Sequence, residues 1–169
     1  MMSMKFAFRR STVFEPRVEG GVSKYAAPVR NNGTLRALFL VNKATDTLVV
    51  ALHGATNRAK KELPRFEWFR TLRSEPVSSL YFSDPALELE ATLELAWYTG
   101  RLEFDMHAAL AEWIRRAAGA IGASRIVILG SSGGGFFAAL QVGALVPPAW
   151  HCRLVRRQPF RSIWWLVQV

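Results

Sequence analysis

The sequence predicts an α/β fold: an open, mostly parallel sheet flanked by helices. Three adjoining observations predict it. Ile126 to Leu129 is an apolar run rich in β-branched residues and too short for a helix, as expected of a strand buried on both faces. Gly130-Ser131-Ser132-Gly133-Gly134-Gly135 follows, which neither a strand nor a helix interior tolerates well. Phe136 to Val146 is then apolar and Ala-rich, like a helix packed on a core.

The rest of the chain supplies partners for that unit. Residues 1–34 give few signals. Phe6, Phe8, Val13 and Phe14 suit a short strand, and Gly20-Gly21 and Asn31-Asn32-Gly33 are turn signals. Leu35 to Val41 and Thr47 to His53 read as strands, and the short polar link between them predicts an antiparallel hairpin. Arg58 to Glu75 is charged and aromatic, with Pro64 interrupting any helix; Phe66, Trp68 and Phe69 are assigned to the core. Val77 to Ser83 is a further strand, with Asp84 starting a turn before Pro85. Residues 86–100 are ambiguous, although their Ala, Leu and Glu favour helix and Gly100 would stop it. Glu103 to Ile121 is a clearer helix. Met106, Leu110, Trp113, Ala117 and Ile121 form one face, Glu103 and Asp105 sit at its start, Arg115 and Arg116 lie near its end, and Gly119 and Gly122 bracket its termination. His107, near the start of this helix, is expected at the surface or already hydrogen-bonded, and not catalytic.

Composition bounds the function. At 169 residues, half of them hydrophobic, one domain with a sizeable core is expected. The formal charge of +9 is uneven, because residues 147–169 carry four arginines and no acid. The body lacks a basic stripe, so no nucleic-acid partner is expected. The lone Cys152 excludes an internal disulfide and agrees with a cytoplasmic setting. Ile126 to Ala149 is uncharged and long enough to suggest a membrane span, but the central glycines argue for a turn and against a transmembrane segment. Nothing calls for a cofactor or a metal.

Within the turn, Gly130-x-Ser132-x-Gly134 has the G-x-S-x-G form. A tight strand-to-helix turn would lift the Ser132 hydroxyl over the sheet edge at a helix N-terminus, where free amides and the dipole favour negative charge. His53-Gly54-Ala55-Thr56 ends an earlier strand, and ligands of open α/β sheets bind off such ends. The amides of Ala55 or Thr56 could face the place where Ser132 attacks. His53 is weighed as a hydrogen-bonded structural residue ahead of a substrate-loop role.

The segments LVVALHGAT at 48–56 and RIVILGSSGGG at 125–135 resemble the N-terminal half of an α/β-hydrolase, over roughly residues 35–146. A looser similarity, resting on LVVALHGA, SLYFSDPAL at 79–87, LAWYTG at 95–100 and GSSGGGFFAALQ, is to hydrolase-like proteins associated with bacterial surface polysaccharide and accessory secretion. The resemblance implies Ser132 as nucleophile and an oxyanion hole from the N–H of Gly133 and of Ala55. It implies His53, Gly54 and Thr56 along the substrate loop, and a small-molecule or glycan ester as substrate, attacked through an acyl-enzyme.

The chain also departs from that pattern. Such hydrolases place an acid and then a histidine after the serine. Here no Asp or Glu follows Glu112, and His151 is the one later histidine, so it is the base the pattern would assign. The expectation is a partial domain over 1–146, truncated after the nucleophile helix and incomplete or inactive as this polypeptide. The unfinished sheet edge should promote self-association. The stretch from Pro147 onward, with three Trp, four Arg and Pro159, reads either as foreign to the fold after a frameshift near Val146 or as a genuine basic–aromatic segment that sits on membrane surfaces. Two alternatives stand beside the enzyme: a non-catalytic remnant or interaction protein, and a dinucleotide-binding module. Gly133-Gly134-Gly135-Phe136-Phe137-Ala138 matches G-x-G-x-x-A, but no acid lies about 20 residues on to hold a ribose.

Overall fold

The computed structural model describes residues 9–10, 13–29, 33–100, 104–146, 153–157 and 164–168. In chain order the strands and helices are β1 (Arg9–Arg10), β2 (Gly21–Val29), β3 (Gly33–Val41), β4 (Thr47–Leu52), α1 (Phe69–Leu72), β5 (Ser78–Ser83), α2 (Met106–Ile121), β6 (Arg125–Ser131), α3 (Ser132–Leu145), β7 (Arg153–Arg157) and β8 (Trp164–Gln168). A 3-10 turn at Pro85–Glu88 follows β5. The fold is of α/β type with an open mixed sheet, in the order β1-β2-β3-β5-β4-β6-β8-β7. Strands β5, β4 and β6 run parallel at its centre; β3 is antiparallel to β5, and β2 to β3.

Several expectations change, the first being that the sheet is mixed rather than mostly parallel, since β2–β3, β3–β5, β6–β8 and β7–β8 all pair antiparallel. The hairpin predicted between β3 and β4 does not form, because β5 lies between them. Asn42 is instead tied to β5, its amide donating to Ser78 Oγ at 3.0 Å and its carbonyl accepting from that hydroxyl. The hairpin is β2–β3, with Val29 opposite Gly33; Asn31 and Asn32 of the expected turn lie outside the described residues. Val13 and Phe14 are not strand, while Phe6 and Phe8 lie outside the described residues. Phe14 is buried and stacks on Trp113 at 4.4 Å. Residues 86–100 make the 3-10 turn and irregular loop, not an α-helix.

Strand alternation sorts the core into two layers. Val50 and Leu52 of β4, Leu80 and Phe82 of β5 and Ile126 and Ile128 of β6 face one side. There they meet Leu110, Trp113, Ile114 and Ala117 of α2 and Ala138, Ala139 and Val142 of α3. Leu38, Ala51 and Tyr81 face the other side, covered by the half-buried Phe66, Trp68, Phe69 and Leu72. That aromatic stretch is therefore core, as expected, but of the thinner layer. It does not reach β6, where Val127 and Leu129 remain half-exposed rather than buried.

Helix α2 begins at Met106, later than the expected Glu103, because Asp105 takes the cap position. Asp105 caps it by accepting from the Ala108 amide, and Gly122 ends it in the left-handed region at φ 63°. Arg115 and Arg116 both pair with Glu112 rather than serving the helix end. Beyond Val146, β8 pairs antiparallel along β6 with Leu129 opposite Leu166, and β7 pairs with β8. The unfinished edge expected beside β6 is therefore occupied, and β7 is the outermost strand. No described helix is long and apolar enough to cross a membrane. The uncharged run from Ile126 divides into β6 and α3.

Candidate functional site

The parallel strands β5, β4 and β6 end at one edge, where Asp84, His53 and Ser132 follow them. Leu52 and Gly130 are paired in the sheet, so Gly54 and Ser132 each lie two residues past a shared rung. The chain leaves β4 toward α1 on one face and β6 toward α3 on the other. Such divergence opens the crevice in which ligands of α/β sheets bind.

The turn after β6 is short. Ser132 is exposed and is the first residue of α3, at φ 59°. A non-glycine residue in this left-handed region costs on the order of 1 to 2 kcal/mol. The glycines thus belong to the helix rather than to a loop before it, contrary to the sequence reading. Gly135 allows close passage: a Cβ there would lie 2.9 Å from the Leu52 carbonyl and 3.2 Å from Gly130. This contact sets the start of α3 directly against the end of β4. Gly133 follows Ser132 in the first helical turn, where amides have no partner within the helix.

The loop after β4 is held peptide by peptide. The Gly54 amide donates to Glu67 Oε2 at 3.1 Å, and Glu67 is fixed by Arg65 at 2.8 Å. The Gly54 carbonyl bonds His53 Nδ1 at 2.7 Å. Arg65 also donates to the Ala55 carbonyl and to Thr56 Oγ1. The Thr56 amide donates to the Glu94 carbonyl at 2.7 Å, which removes it as an oxyanion donor; Thr56 is fully buried. Ala55 is exposed, and among the described residues nothing accepts from its amide.

His53 is 2% exposed. Its Nε2 accepts from the Asp84 amide at 3.0 Å, so the ring proton resides on Nδ1, which donates to Gly54. Burial above all lowers its pKa to about 4, with the Arg65 charge adding to the effect and the Gly54 bond and Glu67 opposing it. A neutral ring with both nitrogens engaged is no base for Ser132. Asp84 caps the 3-10 turn through Oδ1, as its turn-forming role requires, while Oδ2 accepts from the Tyr98 amide at 2.8 Å. Burial raises its pKa, against the pull of those two amides. Tyr98 accepts from the His53 amide and donates to the Phe82 carbonyl, each at 3.0 Å. Burial holds its phenol well above the ordinary value, so it keeps its proton as a donor.

Trp97 and Tyr98 are consecutive non-glycine residues at positive φ, 61° and 53°. The backbone so bent leaves Trp97 42% exposed, edge-on to Phe137 of α3, which is 39% exposed. His107 lies edge-on to the same Phe137 ring. With 16 residues, α2 spans the sheet, and its N-terminal turn lies at the Ser132 edge. His107 is neither at the surface nor satisfied: it is half-buried, and its Nε2 is buried with no partner among the described residues.

The structure thus brings Ser132, Gly133, His53, Gly54 and Ala55 to one edge, and turns Thr56 away. His151 lies outside the described residues. Arg65, Glu67, Glu94 and Tyr98 hold the site but were missed; of these only Tyr98 carried a signal, within LAWYTG. Among the described residues no group of three or more His, Cys, Asp or Glu could hold a metal. The described cavities lie elsewhere, an apolar one between Val29, Pro85, Leu89 and Met106 and a polar groove between Arg36, Arg58, Glu62 and Glu88. No known protein family, curated protein or solved structure matches the chain.

Proposed function

We propose that this edge is an acyl-transfer site of the serine hydrolase type, on an α/β-hydrolase-like scaffold, acting on an ester of a small molecule or glycan. Ser132 Oγ attacks the ester carbonyl carbon, forms an acyl-enzyme and releases the alcohol; water or another acceptor then takes the acyl group. The Gly133 and Ala55 amides receive the negative charge on the carbonyl oxygen, each donor contributing on the order of 3 kcal/mol. The observation that carries the reading is the exposed serine at φ 59° where β6 turns into α3, beside a loop whose Ala55 amide has no acceptor among the described residues. A hydroxyl held over the edge at such a strained turn is the arrangement that a nucleophile elbow requires. Exposed Trp97 and Phe137 offer an apolar flank for the substrate.

A fluorophosphonate probe tests it: the wild-type chain is expected to be labelled at Ser132 and Ser132→Ala not at all. Two imidazoles are compared as the base, His151 by the resemblance and His107 by its unsatisfied Nε2. His151→Gln and His107→Gln separate them by which one lowers the labelling rate near neutral pH.

A second reading, a non-catalytic scaffold, is favoured by one specific observation: His53, the imidazole on the loop beside Ser132, is fully engaged. An unlabelled wild-type serine supports it. A dinucleotide module is less favoured, because the turn closes at Ser132, ahead of the first glycine of that pattern.

A further inference from the structure

We propose that His53 is a positioning residue that aims the Ala55 amide at the oxyanion. The proposal rests on the nucleophile reading of Ser132 and adds a role that this reading alone does not assign.

The argument is one of peptide geometry. The Gly54 carbonyl and the Ala55 N–H belong to one trans peptide, so they point in opposite directions. The carbonyl is held by His53 Nδ1 at 2.7 Å. The His53 ring lies toward β5, because its Nε2 accepts from Asp84, the residue after that strand. With the carbonyl drawn to that side, the N–H is directed away from β5. Strand β6 is the neighbour of β4 on that opposite side, and Ser132 stands at its end. The flanking peptides cannot substitute, since the Gly54 amide is spent on Glu67 and the Thr56 amide on Glu94.

The device depends on the tautomer. An Asp84 N–H facing Nε2 admits a proton only on Nδ1, and only an Nδ1–H can hold the Gly54 carbonyl. Tyr98 completes the setting by bonding the His53 amide and packing its ring 5.1 Å from the imidazole. The strained Trp97–Tyr98 segment thus holds the Leu52–His53 peptide, from which the His53 side chain departs.

The experiment combines labelling kinetics with NMR. In labelling, Ser132 Oγ bonds to phosphorus, the P–F bond breaks, fluoride leaves, and the hydroxyl proton passes to a base or to solvent. The phosphoryl oxygen then occupies the place of the oxyanion. His53→Ala is expected to slow labelling on the order of 100-fold, the usual effect of losing one oxyanion donor. His53→Asn, whose side-chain amide can still donate to the Gly54 carbonyl, is expected to recover most of that loss. On phosphonylation the Ala55 amide proton should move downfield in wild type and His53→Asn but not in His53→Ala. Long-range nitrogen–proton spectra should show the His53 proton on Nδ1 at pH 7. Wild-type labelling with an unchanged rate in His53→Ala overturns the positioning role alone. No labelling of wild type overturns the nucleophile reading and this proposal together. Should His53→Ala fail to fold, the spectra decide: a proton on Nε2 overturns the proposal.

Discussion

Two adjacent exits from the sheet are built on opposite principles. The loop after β4 is over-determined and buried at His53, Gly54 and Thr56, its peptides tied by His53, Glu67, Arg65 or Glu94. The turn after β6 exposes Ser132 and is held by backbone contact, with Gly135 against Leu52 and Gly130, and its serine bears the strain. On the proposed reading, the difference separates two requirements of acyl transfer. A donor for developing charge must be fixed before the reaction, whereas a nucleophile must stand clear of its surroundings.

The largest way to break this contrast is Gly135→Val. Its side chain would meet backbone of both strands, so α3 must lift from the sheet. Overpacking of this kind costs about 3 kcal/mol. A urea titration is expected to show that loss, and Ser132 labelling should disappear with it.

The next effect is one of pH and belongs to the β4 loop. The folded-state pKa of His53 is depressed, so its contribution to stability is present above the unfolded value and is lost as pH falls through the folded one. Between pH 6.5 and about 4 the unfolded chain binds a proton that the folded chain refuses. Stability should therefore fall with falling pH, by up to about 3 kcal/mol from this group. Asp84, whose pKa is raised, acts in the opposite sense. His53→Asn should remove the His53 part, visible as a flatter dependence of the urea midpoint on pH.

The smallest effect sharpens the other side of the comparison. Ser132→Gly should relieve the left-handed strain and stabilise the chain by about 1 kcal/mol, measured by the same titration, while abolishing labelling. No gain in stability would mean that the φ of 59° carries no cost.

The unit from β6 to α3 was legible because its signals are local: a β-branched run, a glycine cluster and an Ala-rich stretch. So was α2, with Asp105 and Gly122 at its ends. Strand β2 was missed because Ser23, Lys24 and Pro28 interrupt its apolar residues. The supposed β3–β4 hairpin failed because a five-residue link permits adjacency without requiring it. What placed β5 between them was its burial on both faces, from Ser78 to Ser83, which only a central position satisfies.

The site divides in the same way. Ser132 could be named from its neighbours, since a serine among glycines between a strand and a helix has few conformations open to it. His53 could be named but not understood, because its tautomer depends on an amide 31 residues away. The close passage of Gly135 against the Leu52 carbonyl could not be named, because it joins segments far apart in the chain. The sequence alone thus determined the α/β class, the bend at Ser132 and the residues of the two loops, since these follow from local backbone preference. Tertiary structure decided strand order, the αL pair at Trp97–Tyr98 and which amide stays unspent, because each depends on hydrogen bonds between segments that meet only when the sheet closes.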